Sequence, residues 1–302
     1  MVLGVQRRVC QLAIEDGPLL MLSAAEVPLA PNALAVDVPP DVTLRDAGFR
    51  VGQVVGLGSG LDFETARPRR RAGVSWQSRP GPADWRVTLG RASTWEPRPS
   101  VHRVAPHELT DRLRAARGTV VADGAGESLL PVLWASESDV SGFRPGLVQT
   151  ARMSARLLTD AAVRRDERSV ARAARGLAGL GPGLTPSGDD LLAGFAASWI
   201  LVGEALEQDG AAHQRVTDAL LTGGEPGASP LGRVWLAHAC RGEILEPMTR
   251  FAGALLARQP GDLGAAVRGA LAVGSSSGTD WMVGFLLGAP AVLDGMTVAR
   301  PW

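Results

Sequence analysis

Short apolar runs with the spacing of β-strands occupy the first part of the chain. The runs Val9–Ile14, Leu19–Leu22, Leu34–Val38 and Val51–Leu57 are separated by Asp-Gly, Pro-Asn and Pro-Pro turn signals. One further run, Thr119–Ala122, precedes an Asp-Gly turn and predicts another strand. The pattern therefore predicts a β-rich N-terminal half.

After about residue 145 the pattern changes to longer runs rich in Ala, Leu and Arg, which are typical of helices. The predicted helices are Leu147–Asp160, Asp166–Leu177, Leu191–Leu206, Arg215–Leu221, Gly232–Cys240 and Pro247–Arg258. We expect an α+β fold, a β-rich N-terminal half followed by a mostly helical C-terminal half, with domains at residues 1–120 and 121–302.

Two apolar stretches, Leu191–Gly203 and Trp281–Leu293, hold about 13 residues each, short of a bilayer span. They predict buried core helices, and the sequence indicates no membrane association. The first residues lack the apolar run of a signal peptide, and Cys10 and Cys240 form no C-x-x-C pair. We expect a cytoplasmic protein without disulfides.

The composition excludes several function classes. The 302 residues include 31 basic and 31 acidic side chains, so the net charge that a general nucleic-acid binder needs is missing. No Lys and no Tyr occur, which excludes Schiff-base lysines, P-loop lysines and catalytic tyrosines. We expect no nucleic-acid partner.

A segment over residues 67–99 is rich in Arg and Pro, with Trp76, Trp85 and Trp95 interleaved. It allows two interpretations: a stacking surface for single-stranded nucleic acid, or an irregular segment whose tryptophans anchor it to a core. The neutral net charge favours the second.

A glycine-proline loop followed by an apolar helix is the most informative segment. Gly181-Pro-Gly-Leu-Thr-Pro-Ser-Gly-Asp-Asp190 leads directly into Leu191–Ile200. Ninety residues later Ser187-Gly-Asp-Asp-Leu-Leu-Ala-Gly-Phe195 partly returns as Ser277-Gly-Thr-Asp-Trp-Met-Val-Gly-Phe285, with five of nine positions identical. We interpret this as an internal structural repeat of two loop-helix units.

Both Ser187-x-x-Asp190 and Ser277-x-x-Asp280 match a capping box, in which the serine and the acid satisfy free amides at a helix start. Capping alone would explain these four residues.

A ligand site at the two loops is the sharper hypothesis. Asp189 is a second carboxylate that capping does not require, glycine-rich loops can hold an anion, and two paired helices would bring their loops together. The candidate catalytic residues are Asp189, Asp190 and Asp280. The candidate ligand-binding residues are Gly181, Gly183, Thr185, Ser187, Gly188, Ser276, Ser277 and Gly278.

Gly179-Leu-Gly-Pro-Gly-Leu-Thr-Pro-Ser-Gly-Asp-Asp190, with Gly194, resembles the signature of the AllH family. Gly274-Ser-Ser-Ser-Gly-Thr-Asp280 with Gly284 is similar to its second motif, and Arg241-Gly-Glu243 is similar to an intervening motif. The resemblance covers roughly residues 175 to 290.

The resemblance implies a subunit of oxamate carbamoyltransferase, acting with an FdrA-type protein and a third subunit in purine (allantoin) degradation. That system interconverts oxalurate and phosphate with oxamate and carbamoyl phosphate. Because these substrates are anions, we expect loop amides and hydroxyls to bind them. Asp189 and Asp190 would then hold Mg²⁺ or orient an arginine.

Two alternatives belong to other classes. Paired acids at helix starts are similar in texture to the magnesium sites of ADP-ribosylglycohydrolase-like enzymes, which predicts Mg-dependent hydrolysis. A non-catalytic scaffold subunit, in which the acids only cap helices, predicts neither ligand binding nor turnover.

Overall fold

The computed structural model describes residues 1–15, 17–38, 40–46, 49–52, 73–74, 87–88, 93–134, 145–208, 210–259 and 261–298. The chain forms two compact units, Met1–Pro97 and Arg98–Trp302. Most of the predicted strand Val51–Leu57 and most of the Arg/Pro/Trp segment 67–99 lie outside the described residues.

The first unit contains a four-stranded sheet. Its strands are β1 (Val2–Val5), β2 (Val9–Ala13), β3 (Leu19–Ala24) and β4 (Ala33–Val36), in the spatial order β1-β2-β3-β4. The first two pairings are antiparallel and β3 pairs with β4 in parallel. The predictions at β2, β3 and β4 are confirmed, while β1 was not predicted.

Two further short strands, β5 (Gly73–Val74) and β6 (Val87–Thr88), pair antiparallel. In the sheet of the first unit, alternate positions such as Cys10 and Leu12 are buried, as expected for strands with one face on a core.

The second unit is helical around its own apolar core. Its helices are α1 (Pro106–Asp123), α2 (Pro145–Val163), α3 (Glu167–Leu177), α4 (Ser187–Ala205), α5 (Gly210–Gly224), α6 (Pro230–Ala239), α7 (Glu246–Leu255), α8 (Leu263–Leu271) and α9 (Ser277–Val298), with a 3₁₀ turn at Leu130–Leu133. The α+β prediction, with the β-rich part first, is confirmed.

The predicted strand Thr119–Ala122 is wrong, because these residues form the last turns of α1. Two adjacent valines gave this stretch a strand-like composition. In the structure Val120 instead continues a helical face with Leu113 and Ala116 that packs on the core. A domain division at residue 120 would cut α1, and the division in the structure falls between Pro97 and Arg98.

Helices α4 and α9 form the centre of the second unit and are buried along most of their described length. They are the two apolar stretches that predicted core helices. Within the described residues, no helix is long and apolar enough to cross a membrane.

Candidate functional site

Helices α4 and α9 start in the same way. A Cβ on Gly188 would lie 2.0 Å from the carbonyl oxygen of Leu177, and a Cβ on Gly278 would lie 2.1 Å from that of Ala270. Glycine therefore lets each helix begin directly against the end of the preceding helix, α3 or α8. The amide of Gly188 donates to the Leu180 carbonyl at 2.8 Å, and that of Gly278 to the Val273 carbonyl at 2.9 Å. These two amides are therefore hydrogen-bonded within the loops themselves.

The loops also share a glycine in the left-handed conformation. In each loop it directly follows the residue, Leu180 or Val273, whose carbonyl accepts the glycine amide at the helix start. Gly181 has φ +114° and Gly274 has φ +64°, a conformation that residues with a Cβ rarely adopt. The first loop is longer, and its extra residues Pro182, Gly183 and Leu184 are exposed. The internal repeat predicted from sequence is therefore a repeat of structure, with an outward extension in its first copy.

The two loops meet at their hydroxyl groups. Thr185 Oγ1 of the first loop and Ser277 Oγ of the second are 3.2 Å apart, within hydrogen-bond distance. Both residues are partly exposed, whereas the acids that follow them, Asp190 and Asp280, are buried. The predicted convergence of the loops is thus present in the structure.

Each buried acid is served by hydroxyls that include one from the opposite loop. Burial raises the pKa of Asp190 well above its usual range, while hydrogen bonds from Ser277 and Thr185 oppose this rise. Burial likewise raises the pKa of Asp280 to about 6, against hydrogen bonds from Leu129, Ser187 and Ser276. Ser187 and Ser277, equivalent in the repeat, therefore serve each other's acid.

In the part of the chain that the structure describes, one carboxylate oxygen of each acid has no hydrogen-bond partner. Oδ1 of Asp280 accepts the Leu129 amide at 2.6 Å. Among the described residues, no group hydrogen-bonds Oδ2 of Asp190 or Oδ2 of Asp280, and both atoms are buried. A buried polar atom without a partner is costly, so these two oxygens mark a place where a further group is needed. Because the charge of Asp280 also raises the pKa of Asp190, the pair resists double ionisation.

Asp189 lies in a different environment. Its Oδ1 accepts the amide of Gly179 at 2.7 Å, and its Oδ2 accepts the amide of Ser229 at 2.9 Å. Ser229 is the N-cap of α6, so this carboxylate ties the first loop to the start of α6. Asp189 therefore binds backbone amides. Asp190 and Asp280, in contrast, each accept a hydrogen bond from the serine that starts the other acid's helix.

The capping-box interpretation is wrong for α4. The helix begins at Ser187, and its N-cap is Pro186, which makes no side-chain capping hydrogen bond. Ser187 instead bonds to Asp280 of the other unit of the repeat. The acid at the start of α4 therefore requires an explanation beyond local capping.

The predicted metal site at Asp189 and Asp190 has only part of a ligand set in the structure. In the described parts of the chain, no three His, Cys, Asp or Glu side chains are grouped so that they could hold a metal ion. Both oxygens of Asp189 already accept backbone amides. A divalent ion would thus rely on Asp190, Asp280 and the loop hydroxyls.

The segment that follows α1 also contacts the start of α9, and the sequence did not predict this. Besides the Leu129 bond to Asp280, the amide of Ala125 donates to Thr279 Oγ1 at 3.0 Å. The Asp123-Gly124 turn marked a chain reversal here, but no sequence pattern linked it to α9.

Part of the chain matches a known protein family. Residues 177–289 match the model of the family AllH, described as oxamate carbamoyltransferase subunit AllH. The matched region runs from the end of α3 into α9 and contains both loops and all three acids. No curated protein and no solved structure shows a significant match to the chain.

Proposed function

We propose that this chain is the AllH-type subunit of an oxamate carbamoyltransferase and that its paired loops bind a substrate of that enzyme. The family match over residues 177–289 supports the subunit assignment. The observation that carries the site assignment lies at the two helix starts, where the buried Oδ2 atoms of Asp190 and Asp280 have no hydrogen-bond partner among the described residues.

The proposed reaction transfers a carbamoyl group. A phosphate oxygen bonds to the ureido carbon of oxalurate, and the bond from that carbon to the oxamate nitrogen breaks. The proton of the hydrogen phosphate ends on the leaving nitrogen. The products are carbamoyl phosphate and oxamate, with no oxidant or reductant needed.

A protonated Asp190 suits these ligands. An ionised carboxylate would repel oxamate or phosphate, but burial and the nearby Asp280 charge raise the pKa of Asp190 and favour its neutral form. A neutral carboxylic acid donates one hydrogen bond. Asp190 can therefore donate to a ligand oxygen. In the proposed step it passes its proton to the leaving nitrogen and regains one from the hydrogen phosphate, so that the net transfer is from phosphate to nitrogen.

The loop hydroxyls complete the proposed cradle. Thr185, Ser276 and Ser277 are partly exposed, and each hydrogen-bonds to one of the two buried acids. Both helix starts direct positive partial charge toward the same place, which favours an anionic ligand there.

Magnesium is the competing proposal for the same oxygens. A bound Mg²⁺ would require Asp190 and Asp280 in ionised form, and it would favour the hydrolase alternative or metal-assisted phosphate binding. The two proposals differ in the protonation state of Asp190. An Asp190→Asn variant can still donate a hydrogen bond but is a poor metal ligand, so it separates them.

A subunit acts with partners, and we propose an FdrA-type protein and a third carbamoyltransferase subunit. The experiment is to co-express the three chains and measure carbamoyl phosphate formation from oxalurate and phosphate. We expect activity with the unaltered chain and its loss with Asp190→Leu, whereas the exposed control Asp160→Asn retains it. Formation of product at the same rate without this chain would contradict the proposal.

A further inference from the structure

Arg152, on α2, is a buried cation with unused donors. The residue is only 2% exposed. Its Nη2 donates to the carbonyl oxygen of Pro131 at 2.8 Å. Its Nε and Nη1 have no hydrogen-bond partner in the described chain, and both atoms are out of contact with solvent. No acidic side chain of the described residues forms an ion pair with it.

Two other arginines of the described chain that are shielded from solvent, Arg112 and Arg8, have acceptors for their donors. Arg112 donates to the carbonyls of Leu255 and Ala257 and lies 3.8 Å from a carboxylate oxygen of Glu108. Arg8 donates to the Val38 and Val42 carbonyls and pairs with Glu26. Arg152 is thus distinguished by a missing acceptor and not merely by burial.

A guanidinium is always charged in proteins, so Arg152 cannot relieve its burial by losing a proton. Burying a charge without a counterion is strongly unfavourable, and buried charges are normally paired. An apolar side chain of similar length would fit the same place at lower cost. The arrangement is stabilised once an anion supplies the missing acceptors.

We infer that Arg152 is the core of a binding site for a small oxyanion, carboxylate or phosphate, held between α2 and the 3₁₀ turn Leu130–Leu133. Guanidinium groups suit the oxygens of both kinds of anion. The inference rests on the unpaired donors of Arg152 and does not require the proposed function.

The position links this site to the paired loops. Pro131, whose carbonyl anchors Arg152, belongs to the 3₁₀ turn, and Leu129 immediately before that turn donates to Asp280. An anion at Arg152 would therefore stabilise the turn that holds Asp280 in place. Leu129 and Pro131, which make these two contacts, belong to one segment of three residues.

The test is thermal unfolding of the full chain in sodium phosphate, in sodium oxamate and in sodium chloride at matched ionic strength. Ligand that binds only the folded state raises the melting temperature. The variants are Arg152→Met and the matched control Arg156→Met, which alters an exposed arginine one turn further along α2.

We expect phosphate or oxamate to raise the melting temperature of the unaltered chain and of Arg156→Met by more than that of Arg152→Met, in which only the paired loops can still bind the anion. In chloride, Arg152→Met should be at least as stable as the unaltered chain, because an unpaired buried charge has been removed. The phosphate and oxamate arms show which oxyanion is preferred. An equal rise in all three proteins, or no rise beyond chloride in the unaltered chain, would overturn the inference.

If Arg152→Met does not fold, Arg152→Lys provides the decision. Lysine keeps the charge but presents a single ammonium group in place of the planar guanidinium. A half-saturating anion concentration about tenfold higher would support the site, and an unchanged value would overturn it.

Discussion

Gly194 of α4 and Gly284 of α9 make reciprocal contacts across the crossing of the two helices. A Cβ on Gly194 would lie 1.9 Å from the carbonyl oxygen of Trp281, and a Cβ on Gly284 would lie 1.9 Å from that of Leu191. Leu191 and Trp281 are themselves equivalent in the repeat. The two helices are therefore related by an approximate two-fold arrangement that places their N-terminal loops side by side.

Substitution of either glycine by alanine should separate the helices. The obstructing atoms are backbone, so no side-chain rotation relieves the overlap, and we expect each of Gly194→Ala and Gly284→Ala to cost about 3 kcal/mol of unfolding free energy. Urea unfolding measures the effect. Gly269→Ala is the matched control, since a Cβ there meets nothing within 4 Å in helix α8. It should stabilise by roughly 0.5–1 kcal/mol, and equal losses in all three variants would contradict the account.

Asp280 should make stability depend on pH. Its pKa is raised to about 6 in the folded state from an ordinary value of 3.8. Between these values the unfolded chain loses the proton first. The contribution of this group is therefore fully present below about pH 4 and is lost as pH rises to about 6.

Asp280→Asn removes that dependence while keeping an oxygen for the Leu129 amide. The stability of Asp280→Asn relative to the unaltered chain should increase by about 3 kcal/mol at most from pH 4 to pH 7. Urea unfolding at four pH values gives the curve, with the exposed Asp160→Asn as control. A stability difference that stays constant over this range would argue against a raised pKa.

Asp189→Asn should weaken the fold rather than a ligand contact. An amide in place of the carboxylate presents a donor to one of two backbone N–H groups, at Gly179 or Ser229, and leaves it unsatisfied. We expect a loss of about 1–3 kcal/mol of unfolding free energy. Ligand-induced shifts in melting temperature should be retained, and a loss of ligand response without a loss of stability would assign Asp189 to the ligand site instead.

The exchange of hydroxyls between the loops can be tested by titration. In Ser187→Ala the pKa of Asp280 should rise above about 6, because a hydrogen bond to its charged form is lost. In Ser277→Ala the pKa of Asp190 should rise instead. Carboxyl carbon chemical shifts followed by NMR distinguish the two acids, and a shift of the wrong acid in either variant would disprove the crossed arrangement.

The sequence predicted much of this arrangement but not its details. The repeat of Ser, Gly, Asp, Gly and Phe at a fixed spacing located both helices and the convergence of their loops, because close packing of equivalent glycines demands the same residues twice. It could not show that Ser187 serves Asp280 rather than its own helix, since that depends on the crossing of α4 and α9. For the same reason Asp189 and Asp190, adjacent in the chain, could not be assigned to different environments.

The first half of the chain shows where local patterns fail. Thr119–Ala122 has strand-like composition. These residues nevertheless form part of a helix, because Val120 packs on the core of the second unit. The burial of Arg152 was likewise not predicted, because an arginine among alanines and leucines on a helix is ordinarily a solvated residue.

The central claim is that a neutral Asp190 donates to an oxyanion held by the paired loops. Its most direct test is an oxamate titration, without added metal, followed by thermal unfolding of the chain with its co-expressed partner subunits. The proteins compared are the unaltered chain, Asp190→Asn and Asp190→Leu. We predict that oxamate raises the melting temperature of the first two by more than that of Asp190→Leu, because only the leucine variant lacks a donor at the paired loops. Any rise left in Asp190→Leu is the one expected from the Arg152 site. An unchanged response in Asp190→Leu, or a response that Asp190→Asn loses and that requires Mg²⁺, would contradict the claim.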